Sequence, residues 1–353
     1  MKNIFFITLL IILGISCKKK PIETPKINTE YSNGILCLNE GLFQQNNASL
    51  SFYQKNNSAV DNSIFKKVNG RGLGDTANDM ISYSYNGEQY LAIVVNVSSQ
   101  IEILNLNTLE TVKQIGVFNE NNESRSPRSI AVYNDHLYIV NFDGTVLIVS
   151  LANYNTIKIL EVGNNPDHNL LVDDALWVVN TGGLNYPNYD STISVIDLNS
   201  NTIVSTINVG INPGKMVADD QGNVYVISRG NYSNLTPKLI RINKTSKLKE
   251  ATYHIPITQM AYLQNNIYYY DEDQKAIKLF NTDNLTFETG HFIDCGNFET
   301  FYQIHIDPYN QDIYLNDANG YVNMSSIRKY DKEGNYKNEF NTGLITSKLL
   351  FTP

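Results

Sequence analysis

The sequence predicts an all-β chain folded as a seven-bladed β-propeller. Three observations lead there. From about Gly34 onward the chain consists of short alternating apolar runs separated by Asn, Gly, Asp and Pro, without helical periodicity. A four-run unit repeats, clearest in SIAVY (129–133), HLYIVN (136–141), TVLIVSL (145–151) and TIKILEVG (156–163). Finally, the second run of each unit ends in one polar residue: Asn39, Asn96, Asn141, Asn180, Ser228, Asp271 and Asp317. Subtracting neighbouring positions gives spacings of 57, 45, 39, 48, 43 and 46. Four strands in about 40–50 residues is the size of one propeller blade, and seven such ends imply seven blades.

Taken in order, residues 1–17 read as an export signal, with Lys2 as the positive start and Ile4 to Ile15 as the apolar stretch. That stretch is too short for a membrane span. Gly14 and Ser16 before Cys17 resemble a lipoprotein cleavage site, with Cys17 as the acylated first residue. An ordinary cleaved signal with an incidental cysteine is the alternative. Residues 18–33 form a polar tether and residues 34–353 the propeller. The first unit, ILCLNE, SLSFYQ and SIFKKVN, lacks a leading strand, while ITSKLLF (345–351) is left over at the end. Pairing them closes blade 1 with both termini and leaves no open edge in the ring. The fourth unit supplies LLVD, LWVVN, TISVIDL and TIVSTINVG; the fifth supplies KMVAD, VYVIS, KLIRIN and KLKEATYHI. Trp177 shares a repeat slot with Tyr138, Tyr225, Tyr268 and Tyr314, which marks it for packing between blades. Cys37 and Cys295 fall in distant repeats and read as two buried thiols.

Composition excludes some functions. A formal net charge of −8 argues against a nucleic-acid binder, which needs a basic face. No CxxC, Cys/His cluster, GxSxG or P-loop is present, so neither a metal site nor a catalytic residue is expected.

Antiparallel blades bring the second-to-third loops and the inter-blade loops to one face. The polar strand ends Asn96, Asn141, Asn180 and Asp271 line that face, with strand capping as their alternative role. Inter-blade loops add Arg71, Arg125, Arg128, His168, Phe298 and Phe301. Second-to-third loops add Phe43, Phe142, Tyr186, Tyr189, Arg229, Tyr232 and Tyr321. These loops are short in blades 2, 3 and 6 but long in the others: NEGLFQQNNAS, NTGGLNYPNYDS, RGNYSNLTP and DANGYVNMS. Folding needs only a tight hairpin there, so added length carrying aromatics points to recognition.

LNEGLFQQNNASLSFY with NGRGLGDTANDM, the VVNVSSQIEILNLNTLETV, SPRSIAVYNDHLYIVN and STISVIDLNSNTIVSTINVGINP segments, and the closing NTGLITSKLLF carry a resemblance. They are similar to the YncE-like propeller lipoproteins of Bacteroidota, the group carrying the DUF5074 domain. The resemblance implies a lipid-anchored outer-membrane protein that captures cobalamin or a related corrinoid. It would pass that ligand to a TonB-dependent transporter without catalysis, the corrinoid being ligand rather than cofactor. The cell surface is the implied location, with the periplasmic leaflet as alternative because KKK, not an acidic run, follows Cys17. A protein-interaction scaffold of the envelope is the second reading. A metal-dependent propeller lactonase or lyase, using oxygen ligands such as Asp271 and Asp317, is the third.

Overall fold

The computed structural model describes residues 31–353; the export signal, Cys17 and nearly all of the tether lie outside the described residues. Seven antiparallel sheets follow one another around a ring. Their innermost strands are Ala77–Tyr85, Pro127–Tyr133, Pro166–Val172, Pro213–Ala218, Ile257–Leu263 and Phe301–Ile306 in blades 2 to 7, and Thr346–Phe351 in blade 1. Blade 1 is closed as the sequence implies: Thr346–Phe351 pairs with Gly34–Asn39, with Cys37 opposite Leu349. The Asn33 N–H donates to the Pro353 carbonyl at 2.7 Å, tying the two ends together.

Burial explains why the sequence runs look as they do. The second strands are covered on both faces by neighbouring blades, so ALWVVN (Ala175–Asn180) is almost wholly buried and reads as continuous apolar sequence. The fourth strands form the rim, and Thr156–Glu161 is exposed at every position but Leu160. Lysines on that rim, such as Lys113, Lys158 and Lys249, discourage pairing with another sheet.

One element departs from expectation. SIFKKVN reads as a strand, but the outer strand of blade 1 is only Val60–Asp61, and Ile64–Asn69 is a helix. Ile64 and Phe65 are buried while Lys66 and Lys67 face outward, and Gly70 ends the helix at φ 68°. Asn69 pins it to blade 2, donating from Nδ2 to the Leu109 carbonyl (3.0 Å) and accepting the Thr111 N–H (2.8 Å). Six residues are too few to show a helical period.

Trp177, Tyr138, Tyr225, Tyr268 and Tyr314 are all buried between blades, as their shared slot requires. The Trp177 Nε1–H has no hydrogen-bond partner. Replacing Trp177 by Phe removes that orphan donor together with apolar volume, two effects of opposite sign. Trp177→Phe is therefore expected to lower stability by only about 1 kcal/mol in urea unfolding. A loss above about 3 kcal/mol would contradict this balance. Cys37 and Cys295 are buried free thiols.

Candidate functional site

Every inner strand carries the same irregularity near its entry. The pairing register slips between Ala77 and Asp79, Pro127 and Ser129, Pro166 and His168, Pro213 and Met216, Ile257 and Gln259, and Phe301 and Gln303. In blade 1 Leu38 faces Lys348 and Asn39 faces Thr346, so Ser347 is skipped. A bulge bends its strand and re-aims side chains. Repeated around the ring, it adds a second axial residue in five blades, the skipped residue being Gly214 in blade 5 and Thr258, which lines a neighbouring cavity, in blade 6. The skipped Asn78, Arg128, Asp167, Tyr302 and Ser347 line an axial cavity of about 480 Å³. Below them lie the next residues along each strand: Asp79, Ser129, His168, Lys215, Gln259, Gln303 and Lys348.

The upper layer is a set of engaged charges. Arg128 donates from Nε (2.9 Å) and Nη2 (2.7 Å) to Asp167 Oδ1, while Arg229 Nη2 lies 3.7 Å from Oδ2. Burial pushes the Asp167 carboxyl up, but the two guanidinium groups outweigh it and hold it at about 2. Arg128 also lies over the Phe142 ring, 4.4 Å from its centroid. In blade 5 the skipped position is Gly214, where a Cβ would come within 2.6 Å of Arg229 Nε. The missing side chain is what lets Arg229 lie in that gap. Glu40 accepts a 2.7 Å hydrogen bond from the Tyr302 hydroxyl; burial raises the Glu40 carboxyl above its ordinary value against the pull of Tyr302 and Arg128.

A second cavity, about 710 Å³, opens over blades 5 to 7. Tyr232, Tyr270, Phe298, Phe301, Tyr302 and Tyr321 form its aromatic wall. Phe301 stacks flat on Tyr270 (3.8 Å, 4°), Phe298 tilts against Phe301 (5.5 Å), and Tyr321 meets Tyr302 edge-on (5.9 Å). The Arg328 guanidinium lies 3.9 Å from the Phe298 centroid. Asp317 fixes the strand entry beside this wall by accepting the Glu299, Thr300 and Asn319 N–H groups at 2.8–3.0 Å. Arg229, Gln259 and Tyr302 line both cavities, so the cleft adjoins the channel mouth.

A model of the DUF5074 family, described as a domain of unknown function, matches residues 33–344. The chain belongs to the DUF5074 family. Solved structures share the architecture of this DUF5074 domain. A quinonprotein alcohol dehydrogenase-like protein from Bacteroides thetaiotaomicron is 16% identical, with 92% of this chain and 80% of that chain covered and a TM-score of 0.65. Hydrazine synthase of Kuenenia stuttgartiensis is 15% identical over 73% of this chain and 85% of that one, with a TM-score of 0.60. A chain of the mitotic checkpoint complex is 11% identical over 95% and 89%, with a TM-score of 0.56. At these identities the likeness is one of fold. No curated protein sequence matches the chain.

Within the DUF5074 domain the sequence-derived residues fall in different places. Arg229, Tyr232, Phe298, Phe301 and Tyr321 line the cleft, and Arg128, His168 and Arg229 line the channel. Tyr186 and Tyr189 continue the aromatic surface beside the cleft, Tyr186–Tyr189 centroids being 6.0 Å apart and Tyr189–Tyr232 6.4 Å. Phe142 stacks against the Arg128 guanidinium, and Phe43 is exposed without lining either cavity.

The others serve local structure. Arg71 pairs with buried Glu102 of blade 2, and Arg125 pairs with Asp143 at 2.6 Å. The polar strand ends are buried: Asn180 donates to Thr192 (2.9 Å) and Ser194 (3.0 Å), Asn96 to the Pro127 carbonyl (3.0 Å) and Asn141 to the Ile139 carbonyl (3.1 Å). Asp271 accepts the Gln274 N–H at 2.9 Å. Sequence reasoning missed Glu40, Asp79, Lys215, Gln259, Tyr302 and Lys348 in the channel. The signal was present in the inner-strand entries Pro127-Arg128-Ser129 and Pro166-Asp167-His168, whose second and third residues both line the axial cavity, and in Pro213-Gly214-Lys215, whose third does. Among the described residues, no three His, Cys, Asp or Glu side chains are grouped to hold a metal ion.

Proposed function

We propose that this DUF5074 propeller is a non-catalytic binding protein. It captures a corrinoid, cobalamin or a close relative, in the aromatic cleft and hands it to a TonB-dependent outer-membrane transporter. The supporting observation is the cleft's composition: six aromatic side chains on one side, with Arg229, Glu272, Lys275 and Glu299 around them and a polar channel mouth below. A corrin ring has broad apolar faces and a rim of amides. Aromatic walls suit the faces, and charged or amide groups at the margin suit the rim. Anchoring at the outer membrane through Cys17 belongs to the same reading and would keep the protein beside its transporter.

Calorimetric titration of cyanocobalamin into the lipid-free chain, from residue 21 onward, tests the proposal. The expected result is saturable one-to-one binding at micromolar affinity or tighter, with colour retained on the protein through gel filtration. No heat and no retained colour would remove the corrinoid reading. The exposed Phe43, Leu184, Tyr186, Tyr232, Leu235 and Val322 favour a protein-docking scaffold as the second reading. Co-purification with an envelope protein, lost on replacing Tyr186 and Leu184, would then be the outcome.

A further inference from the structure

The channel floor holds one cation that the wall does not neutralise. Of the charges at its level, Lys348 and Asp79 pair with each other at 2.9 Å. Above them Asp167 is engaged by Arg128 and Arg229, and Glu40 by Tyr302. Lys215 reaches from blade 5 past blade 6 to blade 7, where Nζ donates to the Gln303 side-chain carbonyl at 3.0 Å. Among the described residues it has no carboxylate partner. Two further side chains in the same wall are incompletely bonded: Gln259 Oε1 and His305 Nε2 are buried without hydrogen-bond partners. A half-buried ammonium group that has only a neutral amide oxygen loses part of its hydration without recovering it from an opposite charge.

We infer that the axial channel binds a small organic carboxylate, with Lys215 as its counter-ion. One unmatched positive charge calls for one negative charge. Asp79, Asp167 and Glu40 share the cavity and repel a second, which disfavours phosphate dianions. The carboxylate takes the place of the Gln303 oxygen at Nζ, and the cavity's roughly 480 Å³ leaves room for a several-carbon acid. The site is separate from the corrinoid proposal, since Lys215 lines the channel and not the cleft.

Burial, reinforced by Lys348 and opposed by Asp79, lowers the Lys215 amine to about 7. His168, held at about 4 chiefly by burial, stays neutral above that range, and burial likewise drives His305 well below its ordinary value. The carboxylate binds the ammonium form, so binding is present below the Lys215 value and fades above it. Between about pH 6 and about pH 8.5 the affinity should fall roughly thirtyfold.

Calorimetric titration of the full chain with sodium propionate, chloride compensating at constant ionic strength, tests this. Saturable binding is expected, weakened at least about tenfold in Lys215→Met and unchanged in Ile157→Ser on the exposed rim of blade 3. No saturable binding, equal affinity in Lys215→Met, or tighter binding of inorganic phosphate would each overturn it. Should Lys215→Met fail to fold, the pH series on the unchanged protein decides alone. Failure of cobalamin to bind has no bearing on any of these outcomes.

Discussion

Deleting residues 345–353 should abolish cooperative folding. The strand Thr346–Phe351 is the inner strand of blade 1 and pairs with Gly34–Asn39 along its length. Removing it exposes the otherwise buried Gly34–Asn39 and opens the inner ring beside blade 2. It also strands buried polar groups. Asn39 Oδ1 loses the Thr346 hydroxyl (2.7 Å), Asn316 Nδ2 loses the Thr346 carbonyl (3.1 Å), and Asp79 loses Lys348. Each orphaned buried group costs about 1–3 kcal/mol, and the lost burial of Leu349 and its neighbours adds more. A domain's whole stability is about 5–15 kcal/mol, so the sum removes most or all of it. Thermal unfolding followed by circular dichroism reads this directly. A truncated chain with a sharp transition within about 5 °C of the full one would contradict the account of ring closure.

Asp167→Asn is expected to destabilise the protein by about 2 kcal/mol at neutral pH, the cost of leaving partly buried, paired charges without their partner. The carboxylate stands between Arg128 and Arg229, and its loss sets two guanidinium groups against each other. The pH dependence follows from the sign of the shift. The folded value, about 2, lies below the ordinary 3.8, so the stabilisation is full above about pH 4 and is lost as pH falls towards 2. The difference corresponds to about 2 kcal/mol. Urea unfolding at neutral pH, pH 4 and pH 2.5 should therefore show the two proteins far apart at first and converging in acid. A constant gap across that range would show that packing, not charge, is what the substitution removes.

The architecture was legible because a propeller repeats. Asn39, Asn141, Asn180, Ser228, Asp271 and Asp317 mark equivalent points in six sheets, while in blade 2 Val95 holds that point and Asn96 lies one residue beyond it; the leftover ITSKLLF identified the closing strand. The helix Ile64–Asn69 was hidden because six residues are too few to show a helical period. At the candidate site, loop length pointed to Tyr232 and Tyr321, which the structure places in the cleft wall, since extra residues on one face are visible in sequence. Burial is not visible in the same way. Asn180 and Asp271 looked like face residues, yet they bond within their own hairpins. The channel residues were obscured by the bulge: strict alternation gives Lys215 and Tyr302 opposite faces, whereas the register slip lets both line the axial cavity.

The central claim is that the aromatic cleft over blades 5 to 7 is where ligand binds. Its most direct test is the cyanocobalamin titration repeated on Phe301→Ala, on Tyr321→Ala and on Ile157→Ser, the last on the exposed rim of blade 3. The account predicts at least about tenfold weaker binding in each of the first two and a change of no more than about twofold in the third. Binding that survives both cleft substitutions unchanged would place the ligand elsewhere and contradict it.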